Sequence, residues 1–378
     1  FKPTSHVKRP GWELTLPLNG ILKHDRVANE FATFDWGPVP VADDEMPDGK
    51  VTRWAEEQLA RRFDRPFFLG VGFFKPHLPW YAPRKYFDLN PLSGIRRPPI
   101  LANDIDDLSR TGQDFARMIC TAGGHGTLLE SGQWEKAIQG YLANVSFADA
   151  LLGRLMDALD RSEHARNTVV IFWSDHGFLL GEKEHWGKYA PWQRANRVPF
   201  IVVPTAVQRE RNRELAGARS AAPVSSLDLY PTLVDLCRLP AKAGLEGKSL
   251  ARLIEDPRQG GEPAVVTTIG RGTHSVRHGQ WIYVRYFDGT EELYDLKSDP
   301  YEWHNLAGER RHEGLKEACR RFIPLWIRIS GSTFVTAAGK RCSTTLARSS
   351  SSTSTLTAAS PRRRTYGARP TIGSTSGA

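Results

Sequence analysis

Thr168-Val169-Val170-Ile171-Phe172-Trp173-Ser174-Asp175-His176-Gly177 is the stretch on which the fold turns. Six β-favouring apolar residues run together without polar alternation. Such a run suits a central parallel strand covered on both faces. Two side chains able to bind a metal follow at once. In open α/β sheets, ligands bind beyond the carboxyl ends of the strands. Gly177 permits a sharp turn there. Taken alone, the segment also fits a plainer reading, in which Asp175 caps a turn and His176 is incidental.

Outward from this strand, residues 199–203 form a second apolar run, and residues 227–236 read as a helix with Ser226 or Asp228 near its start. Upstream, Tyr141, Val145, Ala148, Leu152, Leu155 and Leu159 recur at helical spacing and predict one buried face. Residues 50–63 predict an amphipathic helix carrying Val51, Trp54 and Leu59. Residues 67–74 are a short apolar run, expected to be a buried strand and halted by Pro76, Pro79 and Pro83. Residues 84–135 carry turn signals and predict long loops with short helices. Strand and helix in alternation argue for an α/β fold with a mostly parallel sheet flanked by helices. From about residue 262 the texture changes to short strands separated by Gly279-Gln280 and Asp288-Gly289. These predict a small antiparallel sheet, followed by a helix near 309–326. The expected organisation is an α/β core over 1–260, a C-terminal α+β subdomain over 261–328, and a low-complexity tail over 329–378 without order.

Composition narrows the function classes. The chain has 378 residues, 40% apolar and 25% charged, as in ordinary globular proteins. It has no apolar run of about 18 residues, the length a membrane-spanning helix needs. The net charge is +9. However, ten Lys or Arg residues and no acidic residue follow Glu317, so the rest is near −1. The basic excess belongs to the tail and is not a nucleic-acid footprint. The four cysteines, Cys120, Cys237, Cys319 and Cys342, form no C-x-x-C pair. The chain starts at Phe1 without a recognisable export signal, and that start reads as a cut.

Two further strings bear on the Asp175-His176 pair. Upstream stands Phe74-Lys75-Pro76-His77-Leu78-Pro79-Trp80, and downstream Gly181-Glu182-Lys183-Glu184-His185-Trp186-Gly187-Lys188-Tyr189. With Glu292-Leu293-Tyr294-Asp295-Leu296-Lys297-Ser298-Asp299-Pro300 and the residues on to Ala307, the chain resembles the sulfatase family of the alkaline-phosphatase-like superfamily. Its iduronate-2-sulfatase-like branch is nearest. The resemblance covers roughly residues 10–325. It implies an alkaline-phosphatase-like fold and hydrolysis of sulfate esters on carbohydrates such as glycosaminoglycans or sulfated polysaccharides. It also implies an exported location. Asp175 and His176 match a pair that binds a divalent cation, usually Ca2+, with Mg2+ as a variant. Lys188 matches a lysine that contacts the sulfate, and His77 a histidine beside the scissile ester. His185 and Trp186 fall where they could line the pocket. The chemistry is coherent: a cation and an ammonium neutralise the non-bridging oxygens as the ester breaks, while an imidazole serves the ester oxygen.

The sequence also departs from the family. Sulfatases carry a cysteine in C-x-P-x-R that becomes formylglycine, and a pair of acidic metal ligands near the first strand. Here Cys120, Cys237, Cys319 and Cys342 lie outside any such motif, and Asp43-Asp44 follows Pro40 in a polar stretch read as surface loop. A lost N-terminal segment is the simplest account, and the chain alone is then expected to be inactive. Two alternatives remain: a phosphomonoester or phosphonate hydrolase of the same superfamily, and a non-catalytic binding module.

Overall fold

In the computed structural model, the described residues are 18–19, 34–118, 124–259 and 264–324, together with the backbone of three short strands beyond. The chain divides into two compact units, Phe1–Pro324 and Leu325–Ala378. The strands of the first unit are β1 (Trp36–Val39), β2 (Trp80–Pro83), β3 (Val170–Trp173), β4 (Leu179–Leu180), β5 (Trp186–Gly187), β6 (Phe200–Val203), β7 (Ala264–Thr268), β8 (His274–His278), β9 (Trp281–Arg285) and β10 (Glu291–Asp295). In the second unit, backbone strands Trp326–Ile329, Thr333–Thr336 and Arg341–Cys342 form an antiparallel sheet. Tail composition predicted no order there. The remainder of the tail lies outside the described residues.

The helix Trp134–Arg161 organises the first unit. It packs on the parallel pair β1–β2 and on the helix Pro47–Leu59. Its existence follows from the spacing, but its buried face does not. Gly140, Ala143, Phe147 and Leu151 face inward, while Val145 is exposed. The reason is close approach: a Cβ on Gly140 would lie 2.6 Å from Trp36 Cβ. Small residues decide the contact face, and a stripe chosen by large aliphatics is rotated from it. The same holds for Pro47–Leu59, where Asp48, Thr52 and Ala55 are buried and Trp54 is not.

The strand ending at Asp175 is present, but its setting differs from expectation. β3 pairs antiparallel with β6, and the two form a two-stranded ladder among the described residues. None of their residues is fully buried, and Trp173 and Ile201 are about half exposed. Residues 67–74 form no strand, and along them half-buried and exposed residues alternate. Apolar content alone says a segment can be covered, and cover also needs a neighbour on each side.

The C-terminal sheet matches the sequence closely. β7 to β10 form an antiparallel meander in chain order. Val276, Tyr283 and Leu293 pack with Cys319 of the helix Glu313–Arg320. No helix among the described residues is long and apolar enough to cross a membrane.

Candidate functional site

Three chain segments meet at the C-terminal end of β3. The first carries Asp175 and His176. Gly177 N–H donates to the Ala195 carbonyl at 2.7 Å. A Cβ on Gly177 would stand 2.0 Å from the Arg194 carbonyl oxygen, so the glycine serves a close backbone approach. The Ser174 hydroxyl donates to the His176 carbonyl, and the His176 N–H to Asp175 Oδ1. These bonds fix the turn. His176 Nδ1 donates to the Gly177 carbonyl at 2.7 Å. That selects the tautomer whose Nε2 lone pair is open to a partner.

The partner is Lys188, from the second segment: its Nζ lies 3.0 Å from His176 Nε2. Lys188 follows β5, at the end of a tightly held loop. Gly181, at φ +122°, lets the Trp134 ring pass where a Cβ would sit. Lys183, buried in the left-handed region, gives its ammonium to Asp104 at 2.7 Å and to the Glu302 carbonyl at 2.5 Å. Burial pushes the Asp104 carboxyl up, against the pull of Lys183. The expected pocket-lining residues, His185 and Trp186, are core residues. His185 Nδ1 donates to the Ala116 carbonyl, and Trp186 Nε1 donates to His125 Nδ1. Burial lowers the pKa of His185, so it packs as a neutral ring.

The third segment carries Lys75 and His77. The buried carboxylate of Asp48 accepts the N–H groups of Phe74 and Lys75 at 3.0 and 2.8 Å, pinning the turn. The Lys75 ammonium donates to the carbonyls of His77 and Pro79. Its enclosure brings its pKa down to about 7, against the opposing pull of Asp48. His77 packs at a tilt against Phe74, ring centres 4.6 Å apart, and donates from Nδ1 to the Leu78 carbonyl at 2.7 Å, again leaving Nε2 open. Its pKa is lowered by desolvation and by the nearby charges of Lys188, Lys75 and His176. The charges of Lys188, Lys75 and His176 thus all act on His77. Lys75 was not singled out from the sequence, although it stands in the Lys75-Pro76-His77 string.

Asp175 is the acidic member, its side chain largely exposed and its Oδ2 3.7 Å from His176 Nε2. Among the described residues, no group of three His, Cys, Asp or Glu side chains is placed to hold a metal. A carboxylate and an imidazole fall well short of the six to eight oxygens a hard cation prefers. The Asp43-Asp44 pair contributes none. Asp43 binds Lys85 and Tyr86, and Asp44 binds Arg154, so the pair is structurally engaged and not free surface loop. What converges here is a basic cradle suited to an oxyanion.

The sulfatase family model matches residues 18–239. The chain belongs to the sulfatase family. It is 39% identical over 77% of its length to a sulfatase of Formosa agariphila, covering 56% of that protein. It is 28% identical to mouse iduronate 2-sulfatase, over 75% of this chain and 66% of the relative. The chain thus spans about half to two-thirds of the curated relatives it matches. Among solved structures, a phosphonate monoester hydrolase from Silicibacter pomeroyi superposes with TM-score 0.63 at 17% identity, over 84% of this chain and 66% of that one. A protein in complex with its substrate D-glucosamine-2-N,6-O-disulfate superposes with TM-score 0.56 at 18% identity, over 72% and 68%. The fold is alkaline-phosphatase-like. Sulfatases generally use a divalent cation.

Proposed function

We propose that this chain is the sulfate-binding part of a sulfuric ester hydrolase acting on sulfated carbohydrates, in an exported setting. The observation that carries the reading is the meeting of Lys75, His77, His176 and Lys188, drawn from three distant segments, at the end of β3. The positive charges around His77 disfavour its protonation, and an anion bound beside it would reverse that. A sulfate supplies that anion. Relatives that act on sulfated sugars support the choice of substrate class.

Each residue then has a task. Lys188 neutralises a non-bridging oxygen as a point charge, while Lys75, held by the His77 and Pro79 carbonyls, adds positive potential from behind and fixes the loop that carries His77. His77 is held by the Leu78 carbonyl with Nε2 as its titrating nitrogen. An arriving sulfate raises the pKa of that nitrogen, so Nε2 can carry a proton toward the ester oxygen. His176 and Asp175 are the donors offered to a divalent cation, for which calcium is the expected species. Two donors predict weak binding, on the order of millimolar or poorer. The sequence contains no C-x-P-x-R motif and hence no residue placed to become formylglycine. Residues 1–378 alone are therefore expected to bind sulfate without turning over an aryl sulfate.

Calorimetric titration with sodium sulfate tests the reading. Lys188→Ala should weaken binding about tenfold, the loss of one charge-assisted contact. Binding that is indifferent to this change would overturn the cradle. Methylphosphonate binding more tightly than sulfate would favour a phosphonate hydrolase. Turnover of an aryl sulfate that disappears in Asp175→Ala would refute the expected inactivity.

A further inference from the structure

Joined to the cradle through the helix Gln193–Asn196 is a feature that the sulfate chemistry does not use. Tyr301 and Trp303 stack face to face, with centroids 4.8 Å apart and planes 23° from parallel. Both rings are half-buried. The Arg194 guanidinium lies 6.0 Å from the centre of the Tyr301 ring. We propose that Tyr301, Trp303 and Arg194 form a sugar-binding subsite that receives a neighbouring acidic residue of a sulfated oligosaccharide whose sulfate ester occupies the cradle.

The backbone that presents these rings is held from both sides. Glu302, between them, is buried and sits at φ +61°, a conformation non-glycine residues seldom adopt. Such strain persists only where surroundings enforce it. Here the Glu302 carboxylate accepts the Gln193 N–H at 3.0 Å, and its carbonyl accepts the Lys183 ammonium. The Gln193 side chain donates to the Pro300 carbonyl at 2.8 Å. The aromatic pair is thus fastened to the short helix Gln193–Asn196, which also carries Arg194. That helix touches the turn beside His176: Gly177 N–H bonds to Ala195, and the Arg194 carbonyl fills the space a Cβ at Gly177 would need. One continuous, hydrogen-bonded path therefore joins the cradle to the aromatic pair.

The chemistry is complementary to a saccharide. A flat aromatic face accepts the C–H face of a pyranose, and its ordering costs little because few torsions are frozen. A guanidinium pairs with a second sulfate or a carboxylate in bidentate fashion. Arg194 is only loosely engaged by Glu182, at 3.7 Å, and its side chain is about half exposed. Arg197, three residues on, adds a second exposed positive charge on the same helix end.

This proposal rests on the sulfate-cradle reading, and the test separates the two. The full chain is titrated, by calorimetry, with a heparin-derived tetrasaccharide of defined sulfation and, separately, with inorganic sulfate. Trp303→Ala should lower the ratio of tetrasaccharide to sulfate affinity about tenfold, and Trp303→Phe should restore most of it. Arg194→Ala should lower the same ratio about fivefold, with Arg194→Lys only partly restoring it. Circular dichroism and the melting curve show that each variant is folded. A ratio unchanged in folded Trp303→Ala and Arg194→Ala overturns the subsite, as does wild-type chain that binds sulfate but no tetrasaccharide. Sulfate binding untouched by Lys188→Ala overturns the cradle instead, whatever the ratio does.

Discussion

The β3–β6 ladder and the β7–β10 sheet are built from similar residues, yet one is half open and the other closed. β3 and β6 contribute Val, Ile, Phe and Trp without a fully buried side chain. In β8, β9 and β10, Val276, Tyr283, Val284, Leu293 and Tyr294 are all fully buried. The difference lies in where each strand finds its neighbours. The meander supplies its own through short turns, so each strand meets the next almost as soon as it is made. β3 and β6 are joined by a long excursion, through β4, β5 and the helix Gln193–Asn196, and their outer faces depend on distant segments. The candidate site adjoins the open region, and the closed one holds a fully buried core. Glu292 couples them: buried in β10, it accepts Tyr286, Tyr294 and, across the junction, Trp192 Nε1 at 3.0 Å.

The largest test of that coupling is Lys183. Its ammonium is buried against Asp104 and flanked by the rings of Trp192 and Tyr294. Lys183→Ala leaves the Asp104 carboxylate buried without its cation, a change expected to cost about 3–5 kcal/mol. Urea unfolding would read it, and a loss below about 1 kcal/mol would show that the junction carries little stability. Leu293→Ala, inside the closed sheet, should cost about 2–5 kcal/mol through the cavity it leaves.

Lys183 also shows where the sequence stops being legible. Within Glu182-Lys183-Glu184 it has the look of a solvated surface charge. Its burial arises from Asp104 and Glu302, 79 and 119 positions away, so no local pattern marks it. The strand that ends at Asp175 was readable because an unbroken apolar run and two polar ligand types adjoin in the chain. The four C-terminal strands were readable because turn residues punctuate them. The partner of β3 was not, since pairing direction is a long-range property. The inward face of Trp134–Arg161 was missed because Gly140 and Ala143 signal contact by being small. The meeting of His176 and Lys188 follows from two strings twelve positions apart, whereas Lys75 gains its character from enclosure.

A pH profile sharpens the comparison further, through two buried groups near the two regions whose shifts fall between acid and mildly basic pH. Burial raises Glu302 to about 8 from an ordinary 4.5. Between those values the folded state holds more protons than the unfolded one, so stability falls as pH rises through that window. Lys75 is lowered to about 7 from 10.5. Between those values the folded state holds fewer protons, so stability rises with pH there. The Glu302 contribution thus falls and the Lys75 contribution rises with pH, while the histidines that burial lowers, His77, His125, His185 and His274, add a rise of their own near neutrality. Measured as a difference from wild type, Glu302→Gln should remove a contribution that falls from about pH 5 to 8 and Lys75→Met one that rises from about pH 7 to 10, in urea unfolding at a series of pH values. Interchange of the two effects would mean the assignments are wrong.

The smallest expected effect lies on the open face. Phe68 is 81% exposed and Ile201 53% exposed. Replacing such residues removes little buried apolar area, and surface substitutions usually stay within about 0.5 kcal/mol. Phe68→Ser and Ile201→Thr should therefore leave the urea midpoint of the isolated chain nearly unchanged, while Leu293→Ala moves it plainly. Thr keeps the β-branch that suits a strand, so Ile201→Thr tests cover and not backbone preference. A loss above about 2 kcal/mol for Ile201→Thr would be the size expected for a buried position. It would mean that the outer face of β6 is covered in solution, and the contrast between the open ladder and the closed sheet would fall.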